Sequence, residues 1–338
     1  MSATREIHAA SDGNSTIACG LFCSASRRES ATTDRSRASR SVSGAGADCW
    51  FLADCPTPRC ALVAKIDPVE VAGMATGQVK DLYRGSMLPV ERQFPFHVVA
   101  VDGKYQTLNR DFHPKCTRQH HADGKGYSWK LGFLRAVLVS SSAKVCLKVS
   151  RIPKGSNEMS SFSAFFESLN ADFPSDSFFE VLTLDAGFAS RENLNAINER
   201  GRGFVCALKG NQPDLAFEAG RLFDADEAAQ QPEWTSPWRR EAGRDLRIHI
   251  RRTRGIENWN GWSCIRQAWR VTKELRKDGT TERVERTFVT NLPANRCTAE
   301  EAAAIVRAHW GYRERVPLDS RHSMGRGRLG DVHRQFLL

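Results

Sequence analysis

Two short apolar runs constrain this chain more than any other feature. Residues 98–102 read "VVAVD" and residues 181–185 read "VLTLD", and each run stops at an aspartate that glycine follows within two positions. Runs of this length, rich in Val and Leu, read as strands. A helical spacing at Val79, Leu82, Tyr83 and Met87 precedes the first run, and two β-rich stretches follow it at 129–141 and 143–153. An amphipathic helix is expected over 157–173, a short one over 191–201, and a further strand at "GFVCALKGNQ" from Gly203. Three strands, helix, strand, helix, strand is the order of an α/β fold with a mixed sheet flanked by helices.

The texture changes beyond that point. Residues 216–297 alternate apolar and polar side chains like antiparallel strands and hold five of the eight tryptophans, Trp234, Trp238, Trp259, Trp262 and Trp269. Thr298, with Glu301 three residues on, is a capping box that starts a last helix. The chain therefore divides into an extension at 1–60, a first core segment at 61–215, a β-rich insertion at 216–297, a final core helix at 298–315 and a tail at 316–338. The extension is rich in Ser, Ala, Arg and Gly without any period, a composition expected to be disordered. The tail carries Pro317 and "GRGRLG" where the helix should continue.

With 338 residues and 41% hydrophobic content the chain can bury one sizeable core, or a core plus a smaller inserted module. No run approaches the roughly 18 to 20 apolar residues of a membrane helix, and no targeting signal is evident, so a cytoplasmic location is expected. The ten cysteines form no CxxC pair, which fits reduced thiols. A net charge of +10 suits a polyanionic partner.

Asp102 and Asp185 are the candidate catalytic and metal-binding residues. Sites in α/β sheets are built at the carboxyl ends of strands, and if these two strands are neighbours their carboxylates converge. The plainer reading of each is a strand-exit turn, where Asp before Gly is common. Convergent carboxylates on a basic protein suggest Mg²⁺, with Mn²⁺ as substitute, because a hard cation takes carboxylate and phosphate oxygens. Two such ions about 3.5–4 Å apart can assist in-line displacement at phosphorus. That chemistry usually recruits a third acid, here expected from the last helix.

The residues resemble a known family. "VVAVDGK", "NEMSSFSAFFESL", "LDAG" followed by "ALKGNQP", "TRGIENWNGWSCIRQAWRV", "RTFVTNLP" and "IVRAHWG" follow in order the landmarks of bacterial insertion-sequence transposases of the DDE type, from about residue 79 to Gly311. The resemblance implies an RNase H-like core interrupted by a β-rich insertion, and Mg²⁺-dependent cutting and joining of DNA at element ends. It also implies a homodimer in the synaptic complex, located with the nucleoid, with Asp102 and Asp185 as the first two catalytic acids. The family's last helix reads approximately His-Trp-x-Ile-Glu-Asn, and its glutamate is the third acid. This chain has Arg313 there; Glu314 falls one place late, about 100° further around a helix, and is the third candidate catalytic and metal residue.

The tail offers a reason. Codons for Tyr312 onward, started one base later, can read Ile-Glu-Asn-Glu-Cys-His-Trp, and the family's spaced pattern fits the shifted frame further on. A frameshift at or just before codon 312 is therefore expected, leaving an impaired copy. The rival reading is a non-catalytic DNA-binding remnant that occupies element ends or inhibits intact copies.

Six further residues are candidate DNA contacts. Lys104 lies two residues after Asp102, and "KGNQ" places Lys209, Asn211 and Gln212 at a strand end. In "RDLRIHIRRTR" the alternation puts Arg247 and Arg251 on one face of a strand, able to neutralise phosphates. Trp259 and Trp262 are read as core of the insertion. "HPKCTRQHH" matches no common zinc spacing and is read as a polar loop.

Overall fold

A computed structural model describes residues 68–108, 116–120, 126–225, 231–241 and 243–315, with the side chains of 68, 69, 108 and 310–315 excepted. The extension expected over 1–60 and the tail from 316 lie outside the described residues.

Helix α1 (Pro68–Arg84) starts on a proline, whose missing N–H is no loss at that position. Val79 is buried and Leu82 and Tyr83 pack beside it, but the helix ends at Arg84 and Met87 is exposed. Strands β1 (Val98–Leu108), β2 (Thr117–His120), β3 (Tyr127–Leu138) and β4 (Cys146–Arg151) are antiparallel neighbours, with β3 pairing all of the other three. Within the stretch read as a polar loop, residues 117–120 form a short strand that pairs with β3, and Cys116 before it is fully buried, while 113–115 and 121 lie outside the described residues.

Helix α2 (Glu158–Asp172) begins at Asn157, whose side chain accepts from the Ser160 amide in a capping box. Phe162, Phe165, Phe166 and Leu169 recur at helical spacing and bury one stripe of it. β5 (Val181–Leu184), α3 (Arg191–Glu199) and β6 (Gly203–Ala207) form a parallel crossover, so β1, β5 and β6 run side by side in one direction.

Residues 213–225 form helix α4 (Pro213–Ala225), so the block expected to be β-rich opens with helix. Leu215, Ala219 and Phe223 fall four apart and seat one face of α4 in the core, which overrides any strand pattern. Then come β7 (Trp234–Thr235), β8 (Arg239–Glu241), β9 (Arg244–Thr253), β10 (Gln267–Lys277) and β11 (Thr280–Thr290). These strands extend the sheet itself: β11 pairs with β6 through Phe288↔Ala207, giving the order β2-β3-β1-β5-β6-β11-β10-β9-β7.

Each sheet face has its own apolar cluster. Helices α2, α3 and α4 cover Val99, Val101, Leu182, Leu184 and Phe204, and Trp262 belongs to that same cluster, with Trp259 packed against it. Both tryptophans are therefore core residues, but of the main core instead of a separate small one. The other face sets Val98, Ala100, Val181, Ile248 and Trp269 against α5 (Ala299–Arg315). That helix starts as the sequence suggests: Thr298 Oγ1 accepts from the Glu301 amide at 3.2 Å, and Glu301 Oε2 accepts from the Thr298 amide at 2.7 Å. Among the described residues no helix is long and apolar enough to cross a membrane.

Candidate active site

The register of β1 and β5 positions the two aspartates. Their parallel pairing ends at Val101↔Leu184, so Asp102 and Asp185 are the next residue on each of two neighbouring strands. Alternation along a strand puts Ala100 and Asp102, and Thr183 and Asp185, on the face that α5 covers. The condition for convergence is met. β1 does not stop at Asp102, however; it runs on to Leu108 because β3 continues to pair with it.

Asp102 is 2% exposed and balanced by two cations, Lys104 Nζ at 3.0 Å and Arg135 Nη2 at 3.4 Å from Oδ2. A buried carboxylate needs such partners. Lys104, expected on DNA, points at the catalytic candidate, and Arg135, directly opposite Asp102 in the register, had no signal in the sequence. Asp185 is more open, with a side chain 28% exposed.

The Asp185 turn is braced from the "KGNQ" segment. Asn211 Nδ2 donates to the Ala186 carbonyl at 2.6 Å and Gln212 Nε2 to the Ala189 carbonyl at 2.7 Å. Both amides, expected to orient DNA, hold the backbone that follows Asp185. Lys209 is exposed and joins Asp185, Glu285 and Arg286 along a cleft of about 310 Å³. Cys206 lies behind this turn; burial, and then the Asp185 carboxylate, push its thiol pKa far up, so it is no nucleophile.

Two more side chains lie near the strand ends, Glu158 of α2 and His309, which belongs to the "IVRAHWG" stretch. Glu158, first in α2, lies over Gly103: a Cβ there would stand 1.9 Å from its Oε1, and one on Gly187 would stand 3.5 Å from its Oε2. By strand alternation Gly103 faces α2, so this carboxylate lies across the sheet from Asp102. His309 of α5 is fully buried, with Nε2 3.6 Å from Asp185 Oδ1. Glu314 lies in the last turn of α5, and its side chain is outside the described residues.

The basic residues of β9 are engaged within the sheet. Arg247 donates to Glu274 Oε2 through Nε at 3.0 Å and Nη2 at 2.7 Å and lies 4.5 Å over the Trp238 ring, with Arg276 4.0 Å from the same ring. Arg251 is 3.8 Å from Glu285. On Glu274, burial alone would raise the pKa, but hydrogen bonds from Arg247, His249 and Arg283 overcome it and hold the carboxyl at about 2.

A second basic surface extends from Asp102. The register carries its face of the sheet through Lys104 to Trp129, Tyr127, Arg118 and His120. Arg118 stacks 3.8 Å over Tyr127, which meets Trp129 edge-on at 5.9 Å.

No protein-family model matches this sequence, and no curated protein matches it.

Proposed function

We propose that the chain is a DNA transposase of the DDE type, acting on phosphodiester bonds at the ends of its element. The observation that carries this reading is the placement of Asp102 and Asp185 one residue past the last parallel pair of adjacent strands, on one sheet face. The mixed sheet, with a β-rich block between β6 and the last helix, is what an RNase H-like core with an insertion would need. The donor set fits Mg²⁺: both candidates are carboxylates, and this ion is commonly held by one or two carboxylates plus substrate oxygens. Asp102 and Asp185 would hold it. When bound, it would polarise the scissile phosphate and lower the pKa of the attacking water or 3′-hydroxyl.

The chain's own residues have separable tasks. Lys104 and Arg135 neutralise Asp102 before a cation arrives and are then close enough to meet phosphate oxygens. Asn211 and Gln212 fix the turn behind Asp185. Lys209, Arg286 and the Arg118–Tyr127–Trp129 surface offer charge and ring faces to a DNA strand. Arg313 stands where the family has its third acid, so this copy is impaired, and it acts as a homodimer at the nucleoid.

The test is nicking of a supercoiled plasmid that carries the DNA flanking the coding sequence, in Mg²⁺. Slow nicking that Asp102→Asn and Asp185→Asn each abolish is expected. Nicking indifferent to both substitutions overturns the reading.

A further inference from the structure

His309 is the one fully buried histidine among the described residues, and it faces the more open of the two catalytic candidates. Its Nδ1 is 2.9 Å from Thr183 Oγ1. Thr183 precedes Asp185 by two residues on the same strand face and is itself buried. The hydroxyl has another acceptor, the Val99 carbonyl, but at 3.5 Å. The shorter contact favours donation from Thr183 to Nδ1, which assigns the imidazole proton to Nε2. That nitrogen lies 3.6 Å from Asp185 Oδ1, one small side-chain rotation from a hydrogen bond.

We propose that His309 is a positioning residue for Asp185: its tautomer fixed by Thr183, it donates from Nε2–H to Oδ1 and leaves the other carboxylate oxygen directed at a divalent cation. The role rests on the function proposed above. It explains why α5, the helix furthest along the chain, sends a polar ring into an apolar interface of Ala302, Ile305 and Val306. Partners of this kind restrict the rotation of a ligand carboxylate, so binding a cation costs less ordering. The plain alternative is a core histidine satisfied by Thr183 alone, which would matter to stability and nothing else.

Mn²⁺ binding, followed by the free-ion paramagnetic resonance signal together with the melting temperature, separates the two. In the full chain, Asp185→Asn serves as the reference for a lost ligand. His309→Ala is expected to weaken Mn²⁺ binding roughly 10–100-fold, and His309→Gln, whose amide can donate from near the Nε2 position, to recover most of that loss. Both variants lower the melting temperature, so only affinity discriminates. Affinity unchanged in His309→Ala while Asp185→Asn loses it overturns the positioning role alone. If His309→Ala fails to fold, Thr183→Val is read in its place: weakened binding upholds the role and wild-type binding removes it. A wild-type chain that binds no Mn²⁺ overturns the proposed function, and the positioning role with it.

Discussion

Replacing Glu274 by glutamine asks how much of the β-rich half hangs on one buried charge. The Glu274 side chain is 3% exposed and is reached by Arg247 at 2.7 Å, His249 at 3.2 Å and Arg283 at 2.7 Å. These partners depress its pKa from the ordinary 4.5 to about 2. At about 1.4 kcal/mol for each tenfold change in proton affinity, the ionised form is favoured in the folded state by about 3 kcal/mol. Because the folded value lies below the unfolded one, this stability is fully present above pH 4.5 and is lost as pH falls towards 2. Glutamine keeps the shape of the neutral carboxyl, so Glu274→Gln should cost about 3 kcal/mol at pH 7, about 1.4 at pH 3 and under about 0.5 at pH 2. Urea unfolding of both proteins, followed by tryptophan fluorescence at each pH, measures the difference. A penalty that stays constant from pH 7 to pH 2 would refute a charge-based origin, and one below about 0.5 kcal/mol at pH 7 would show that Arg247, His249 and Arg283 do not depend on the carboxylate.

Other consequences are smaller or more local. Asn211→Ala and Gln212→Ala each remove one brace from the Asp185 turn; each should cost about 1 kcal/mol by urea unfolding and slow plasmid nicking, whereas a role confined to DNA contact would leave stability unchanged. Lys209→Ala and Arg286→Ala should each lower the slope of log affinity against log salt for duplex DNA by about one, while Arg247→Ala, already committed to Glu274, should lower stability before it alters that slope. Sequencing both strands across codons 305 to 338 should find CGA at Arg313 and Arg315, with the shifted frame open beyond codon 338; a shifted frame that closes within this stretch refutes the frameshift.

How far the sequence could be read depends on whether a signal was local. The strands at 98 and 181 and the helices around Phe162 and Leu194 announce themselves by period, and Thr298 with Glu301 announces a helix start, because each depends on neighbours within one turn or one pleat. That β1 and β5 are adjacent is a pairing across roughly 80 residues; the aspartates could only be offered as convergent on condition. Long-range pairing likewise hid Arg135, which carries no motif of its own, and the contact that His309, although inside "IVRAHWG", makes with Asp185. Nothing local to Asn211 and Gln212 distinguishes an amide that holds a phosphate from one that holds the Ala186 or Ala189 carbonyl. The alternation in β9 was legible as a basic face. Its occupant, Glu274, lies on the next strand, out of reach of any pattern in "RDLRIHIRRTR". Helix α4 is hard to read because its apolar positions Leu215, Ala219 and Phe223 straddle the change of texture at 216.

The most direct test of the central claim puts a carboxylate at position 313, where the proposed family has its third acid. In the plasmid assay with Mg²⁺, the account predicts that Arg313→Glu nicks faster than the natural chain and that adding Asp185→Asn to it abolishes the gain. An Arg313→Glu chain no faster than its parent, or one whose cleavage survives Asp185→Asn, would contradict an active site built on the strand ends of β1 and β5.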